Sequence, residues 1–346
     1  GRYTAAPNPL VGCVLVRGGQ LIGQGFHRRA GEGHAEVLAL AEAGPRAAGA
    51  TAYVTLEPCA HHGRTPPCAR ALIDAGVARV VAAMPDPNPQ VAGQGLALLR
   101  AAGIAVDCGV LADEAAALNP GFLKRMTSGR PYVRVKMAQS LDGRSALADG
   151  ASRWITGPAA RADVQRWRAR SQAIVTGVGT VLADDPQLTV RDVPDVAQPL
   201  RVVLDSRLAT PPTARLLREP GTTLIATVSA DPPQVEALAS ASAELLTLPA
   251  GPDGVDLGSL LDELGKRQCN EVLVEAGARL AGAFLAAGLT DELIVYIAPH
   301  LLGPDARPAF ELPVLTRMAD RLDLALLDVL SFAPDLRLRL RPGLRA

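Results

Sequence analysis

No excess of charge of either sign marks this chain: its 346 residues carry 35 Lys+Arg against 35 Asp+Glu. A strongly basic surface usually accompanies non-specific binding to nucleic acid or anionic membrane, so neither is expected as a partner and a small-molecule substrate fits better. No apolar run reaches the roughly 20 residues that span a bilayer. The opening GRYTAAPNP has no basic region leading into an apolar one, so neither a signal peptide nor an anchor is expected. The chain begins at Gly1 without a methionine and reads as lacking some N-terminal residues. Cysteine is sparse. Cys13, Cys59, Cys68, Cys108 and Cys269 are odd in number and scattered, which argues against a disulfide framework and for reduced thiols in the cytoplasm. Internal repeats and low-complexity tracts are absent as well. The length predicts two domains, each able to bury a core.

What is present is an alternation of strand-like and helix-like segments. LVGCVLV and QLIGQG flank Arg17-Gly18-Gly19, a turn signal that predicts a hairpin. GHAEVLALAEAG has Val37, Leu40 and Ala41 at helical spacing and stops at Gly44-Pro45. ATAYVTL, RVVAAM and IAVDCG read as strands, with CARALIDAG and GLALLRAAG as helices between them. Leu118–Pro131, LNPGFLKRMTSGRP, is the best candidate for a joint, because Pro, Gly, Ser and a basic cluster lie between two periodic regions. Beyond it, YVRVKMAQSLDG, QAIVTGVGTVLADDP, LRVVLDS, TTLIATVS and CNEVLVEAG read as strand-then-turn segments. RLAGAFLAAG reads as a helix, and DELIVYIAPHLLG and LRLRLRP as further strands. Such alternation predicts α/β domains with helices packed on parallel or mixed sheets.

The densest chemistry lies in YVTLEPCAHHGRTPPC, where Cys59 and Cys68 follow a strand. A catalytic zinc takes three protein ligands and leaves one position open, so two thiolates are one ligand short. Upstream, His34-Ala35-Glu36 stands in the order His-x-Glu that precedes Pro-Cys…Cys in zinc-dependent nucleobase deaminases, here Pro58-Cys59…Cys68. An imidazole and two thiolates would hold the metal, which lowers the pKa of water, and Glu36 would move protons without being a ligand. Within a regular helix His34 and Glu36 would point about 200° apart. The pair must therefore sit at a helix start, which Gly31 and Gly33 suit. Cys68 likewise opens a helix, where the dipole favours a thiolate. Two blander readings stand beside this one: small buried cysteines with a helix-start histidine, or a structural zinc site closed by His61. His61 and His62 otherwise read as loop residues. Eight residues separate the cysteines instead of the signature's two, and within that insert Arg64 is suited to meet an anion.

Taken together, PNPLVGCV, GHAEV, TLEPCAHHGRTPPC, DPNPQVAGQG, SLDGR, SRWITG, TVLADDPQLTVR, VLDS and VEAG resemble the bifunctional riboflavin-biosynthesis deaminase/reductase family over almost the whole chain. The cysteine spacing separates it from cytidine and tRNA adenosine deaminases. The resemblance implies a cytidine-deaminase-like domain over residues 1–127 and a dihydrofolate-reductase-like α/β domain over residues 128–346. It implies zinc-dependent deamination of 2,5-diamino-6-ribosylamino-4(3H)-pyrimidinone 5′-phosphate, then NADPH-dependent reduction of the ribosyl group to ribityl. By motif, His34, Cys59 and Cys68 would hold zinc, Glu36 would shuttle protons, and Asn8 would contact substrate. Arg64 stands where some members have Lys.

Unaided, the second half is harder to read. Gly177-x-Gly179 lacks the third glycine of a dinucleotide fingerprint, so it reads as a plain strand-turn. EVLVEAGARLAGAFL, a strand running into Gly277 and a helix, could bind phosphate through backbone N–H groups. The resemblance places NADPH against Ala138, Trp154, Thr180, Asp184, Ser206 and the run Gly277, Ala278, Arg279, Leu280, Ala281, Gly282 and Ala283. It places substrate against Ser152, Arg168, Leu188, Arg191 and Glu275, with the two arginines suited to phosphate. Glu275 closes an apolar strand and Lys136 interrupts another, so both should be paired or functional. The expected partner is a phosphorylated pyrimidine, and the expected assembly is a homo-oligomer. Two rival functions fit parts of the pattern: another zinc nucleoside or nucleotide deaminase with an accessory domain, and a non-catalytic structural zinc module.

Overall fold

The structure is a computed structural model describing residues 1–60, 66–89 and 91–343. It divides into two compact units, Gly1–Arg130 and Pro131–Ala346.

In the first unit the described strands form one mixed sheet in the order Gln20–Phe26, Gly12–Arg17, Thr51–Val54, Arg79–Ala82 and Ala105–Cys108. Pairings are antiparallel up to Thr51–Val54 and parallel beyond it. The predicted hairpin is there: Arg17 pairs with Gln20, and Gly18 and Gly19 turn the chain with φ of 56° and 78°. Those left-handed angles are what a two-residue hairpin turn requires.

The helix Ala35–Ala43 packs on that hairpin, but not through the face expected from its larger side chains. Ala35, Ala39 and Ala43, four residues apart and so on one stripe, are buried, whereas Ala41 is exposed and Val37 and Leu40 are only partly covered. The reason lies across the contact. A Cβ at Gly23 would collide with the Ala39 carbonyl oxygen, and one at Gly25 with the Ala35 carbonyl oxygen. The helix thus lies against bare backbone, and only alanine fits between.

Most of Leu118–Pro131, the candidate joint, is helical, and the division between the two units falls at its end, between Arg130 and Pro131. Pro120–Ser128 is a helix with proline in its first turn, the position where a missing N–H costs nothing. Phe122 is buried, and the helix belongs to the first unit. Asn119 exchanges two hydrogen bonds with the Leu10 backbone, donating to its carbonyl (2.8 Å) and accepting from its N–H (2.7 Å), while Arg125 Nη2 donates to the Pro7 carbonyl (3.2 Å). Asn8 is therefore held from both sides.

In the second unit the main sheet runs Ala243–Thr247, Thr223–Thr227, Leu200–Leu204, Ala173–Gly177, Glu271–Glu275, Tyr132–Ser140, Glu292–Ala298, Asp335–Pro342 and Leu324–Phe332. The first seven are mutually parallel and the last two form an antiparallel hairpin on the edge. Val133, Val135, Val202, Leu224, Val272 and Val274 are buried, as expected for parallel strands covered on both faces. TGVGTVLADD differs from the plain strand-turn: the strand ends at Gly177 and the helix Val178–Asp184 follows at once. In LRLRLRP, on the strand between Glu292–Ala298 and the edge strand Leu324–Phe332, the Leu/Arg alternation is inverted at its start. Arg337 is buried with Nη1 2.7 Å from Asp163 Oδ2, while Leu336 is 44% exposed.

Replacing Gly25 by alanine drives a methyl group into the Ala35 carbonyl and the Leu38 side chain. Overpacking of this kind costs about 1–3 kcal/mol, so Gly25→Ala is expected to lower the denaturant midpoint with an unchanged m-value. An unaltered midpoint would show that the helix does not rest on this hairpin.

Candidate active sites

In the first unit the close packing of Ala35–Ala43 on the hairpin fixes where that helix begins. His34 is its N-cap, in extended conformation (φ −72°, ψ 165°), and Glu36 is its second residue. The irregular backbone at this point lets both side chains reach one place, as the spacing required. Cys59 follows the strand Thr51–Val54, and Cys68 is the first residue of the helix Cys68–Asp74. His34 Nδ1 lies 3.2 Å from Cys68 Sγ and 3.6 Å from Cys59 Sγ, and the three donor atoms all fall within 4.8 Å of one another. For a tetrahedral ion with metal–sulfur distances near 2.3 Å and metal–nitrogen near 2.0 Å, ligand atoms sit roughly 3.5–3.8 Å apart. The donor set therefore fits zinc in both spacing and chemistry.

Electrostatics point the same way. The Cys59 thiol is drawn down to about 4, chiefly by hydrogen bonding to Cys68 and also to His34, against the opposing effect of burial. Cys68 is pushed far up, first by its hydrogen bond to Cys59 and then by burial. Two sulfurs thus compete for one negative charge, a conflict that a divalent cation removes by accepting both as thiolates. Beside them Glu36 is buried, and desolvation pushes its carboxyl up to about 7. A carboxyl near neutrality can both take and give a proton at working pH.

Two further side chains shape this site without having been singled out in the sequence. Glu57, buried, accepts from the backbone N–H groups of Asp86 (3.0 Å), Gly93 (2.9 Å), Gly95 (2.8 Å) and Leu96 (3.2 Å). It satisfies the free amides at the start of the helix Gln94–Ala101 and so anchors the turn Pro58-Cys59. His27, also buried, lies 3.0 Å from Asn8 Nδ2 through its Nε2, and burial lowers its pKa below the ordinary value. The signal for Glu57 was a carboxylate inside an apolar strand end; for His27 there was none. Arg64, His61 and His62 lie outside the described residues.

In the second unit the expected residues gather along the carboxyl ends of the parallel strands, the side of an α/β sheet where ligands bind. Lys136 and Glu275 are direct partners across adjacent strands, with Nζ 3.6 Å from Oε2. Arg168 closes on Glu275 with its fork, Nε to Oε1 at 2.5 Å and Nη2 to Oε2 at 3.0 Å, and gives Nη1 to the Thr189 carbonyl. Its guanidinium is thus engaged by a carboxylate. Burial alone would raise Glu275, but Arg168 and Lys136 outweigh it and hold the group at about 2. Arg191 reaches Gln187 and Thr189 through Nη1, its backbone N–H bonds Gln165 Oε1, and neighbouring Leu188 is buried.

Ala138 lies near the end of Tyr132–Ser140, with Ser152 and Trp154 in the segment that follows. Trp154 is 69% exposed, with the Arg161 guanidinium 4.4 Å from its ring centre. Thr180 and Asp184 belong to the helix Val178–Asp184, and Arg153 pairs with Asp184. Ser206 follows Asp205, a buried carboxylate that accepts from the Arg207, Ala209 and Thr210 N–H groups and the Thr210 hydroxyl. Gly277 caps the helix Ala278–Ala286, and a Cβ placed there would meet nothing within 4 Å. Open space before the free amides of a helix start fits a dinucleotide phosphate. Later in the run, Ala281 and Gly282 are buried, and a Cβ on Gly282 would strike the Glu311 carbonyl, so that part faces the body of the unit. Arg279 is exposed, 3.8 Å from Asp253, and Leu280 is half-buried in the core.

Two family models match the chain: the RibD C-terminal domain over residues 131–338 and the cytidine and deoxycytidylate deaminase zinc-binding region over residues 2–84. The riboflavin biosynthesis protein RibD of Escherichia coli (strain K12) is 52% identical over 98% of this chain and 95% of that protein. The chain belongs to the RibD family. Among solved structures, Acinetobacter baumannii RibD is 52% identical with a TM-score of 0.92, covering 99% of this chain and 95% of that one. The deaminase/reductase from Thermotoga maritima is 33% identical with a TM-score of 0.87, over 99% and 94%. As a RibD, the chain is a bifunctional enzyme of riboflavin biosynthesis that joins a zinc-dependent deaminase to a reductase, with zinc and NADPH as cofactors. The rival functions, a different deaminase or an inert zinc module, are not favoured.

Removing the Glu275 charge leaves Arg168 buried without its counter-ion, at a cost of about 3–5 kcal/mol. Because the folded-state pKa is depressed, the Glu275 contribution is whole above about pH 4.5 and lost as pH falls through about 2. Glu275→Gln is therefore expected to be less stable than the parent at neutral pH, with the gap closing in acid. Both tryptophans, Trp154 and Trp167, belong to the second unit, so tryptophan fluorescence during unfolding reads this directly. A gap that persists unchanged at about pH 2 would contradict the assignment.

Proposed function

We propose that the first unit deaminates 2,5-diamino-6-ribosylamino-4(3H)-pyrimidinone 5′-phosphate and that the second reduces the ribosyl chain of the product to ribityl. The observation that carries the first step is the meeting of His34, Cys59 and Cys68 with a buried Glu36 beside them. Zinc, when bound by those three donors, supplies a Lewis acid that activates water. Glu36 would carry one proton of the attacking water to the ring nitrogen and the second, from the hydroxyl of the adduct, to the departing amine, so that ammonia leaves and a carbonyl remains. The three donors that gather among the described residues leave the fourth position of a tetrahedral zinc, which we assign to water. Asn8 and Arg64 are assigned to substrate.

For the reduction NADPH supplies the hydride, and the protein holds the reacting groups in place. We assign the cofactor to Ala138, Trp154, Thr180, Asp184, Ser206 and the turn from Gly277. Ser152, Lys136, Leu188, Arg191 and Glu275 are assigned to the sugar phosphate. Arg168 supports this by holding Glu275 ionised in a buried position, and Arg191, whose guanidinium is engaged among the described residues through Nη1 only, is the better phosphate partner. We further infer a homo-oligomer. The edge strand Leu324–Phe332 exposes Leu326, Val329 and Leu330, an apolar edge of the kind that another chain covers. The cytoplasm is the expected compartment, since the metal-binding sulfurs must stay reduced.

Purified protein is expected to release ammonia from the aminopyrimidine phosphate and then to oxidise NADPH only once the deaminated product is present. Glu36→Gln should lower ammonia release by a factor of about 10²–10⁴ while leaving zinc content and reduction of supplied product intact. Ammonia release that survives this substitution would refute the proton-transfer role.

A further inference from the structure

The buried ring of His27 uses both of its nitrogens. Nδ1 lies 3.3 Å from the Gly33 carbonyl oxygen, and Nε2 lies 3.0 Å from Asn8 Nδ2. A carbonyl oxygen only accepts, so Nδ1 must carry the proton. In the neutral ring Nε2 is then a bare acceptor, and the group of Asn8 that can satisfy it is the amide NH₂. Turning the amide over would set its carbonyl oxygen against that lone pair. Reversing the tautomer would do the same at Gly33. The two contacts together therefore fix the amide, with Nδ2 toward His27 and Oδ1 turned away from it.

From this we infer that His27 is a positioning residue that commits Asn8 to offer substrate a hydrogen-bond acceptor, so the deaminase site reads an amine or ring N–H at that point. The inference rests on the assignment of Asn8 to substrate. The Asn8 backbone does not depend on His27, because Arg125 and Asn119 hold Pro7 and Leu10 on either side. What His27 adds is the direction of the amide. The same ring stands edge-on to His34, with centroids 5.2 Å apart and planes at 84°, and bonds the carbonyl just before it. One side chain thus links the orientation of a substrate group to that of a metal ligand. A ligand presenting an acceptor at this position would face the Asn8 carbonyl with no hydrogen between them. Such unpaired polar groups give a site strong discrimination.

The test uses the zinc-loaded full chain. A long-range ¹H–¹⁵N spectrum, with the His27 signals identified by their loss in His27→Asn, is expected to show the Nδ1–H tautomer. The Nε2–H tautomer would overturn the inference whatever the kinetics. His27→Asn keeps a donor near Nδ1 and removes the acceptor at Nε2. It is expected to raise KM for the aminopyrimidine phosphate about tenfold or more, as loss of one oriented hydrogen bond does, with kcat changed far less and zinc still at one per chain. His27→Gln, whose Oε1 reaches the Nε2 position, should recover most of the loss. Asn8→Ala separates the two layers of the argument. If it leaves KM unchanged, the assignment of Asn8 to substrate fails. If Asn8→Ala raises KM and His27→Asn does not, the assignment stands and the positioning role of His27 is refuted.

Discussion

An imidazole and two thiols from three separate segments meet at one point in the first unit, within the spacing that a zinc ion needs. The first unit is organised around that requirement. Glycine at 23 and 25 lets the helix Ala35–Ala43 lie on bare strand backbone, which sets the height at which His34 enters the site. Glu57 fastens the opposite wall by collecting four backbone N–H groups just before Pro58 and Cys59. Neither device is itself one of the clustered donors, yet a shift in either moves one of them. The closeness of the two sulfurs favours the thiolate at Cys59 and disfavours it at Cys68, and a divalent cation would let both ionise.

The second unit meets a related problem with charge in place of metal. Lys136, Arg168 and Glu275 lie where the parallel strands end, and a carboxylate buried there persists only because two cations face it. Ion pairing also runs through the far half of the sheet. Arg134 is buried between Glu271 and Glu292, and Arg337 reaches Asp163, with Trp167 packed among the guanidinium groups. The sheet is therefore apolar in its middle and ionic at both margins.

Much of this was legible in the sequence because the chemistry is carried by close spacings. His34-Ala35-Glu36 demanded a helix start, and Pro58-Cys59 and Cys68 supplied the other two donors. The strands and the hairpin at Gly18-Gly19 followed from local pattern in the same way. What escaped depends on contacts between residues distant in the chain. The buried face of Ala35–Ala43 is alanine, not valine and leucine, because its partner strand has no side chains there. Within Leu118–Pro131 the Pro and Gly bound a helix that composition did not show, and the division between the units falls only at the segment's end. The inward turn of Arg337 is set by Asp163, 174 residues away in sequence, and the grip of Glu57 is set by amides 29 to 39 residues downstream. His27 reads in sequence as an ordinary residue after a strand, and only the fold brings it to Asn8.

If His34, Cys59 and Cys68 are the protein donors, one position of a tetrahedral zinc is left for water. X-ray absorption at the zinc edge of the metal-loaded protein tests it most directly. The account predicts two sulfur scatterers near 2.3 Å and two lighter ones near 2.0–2.1 Å, one of them an imidazole and the other exchangeable solvent. Two imidazoles with two sulfurs, or a third sulfur, would mean a site closed by protein and would contradict it.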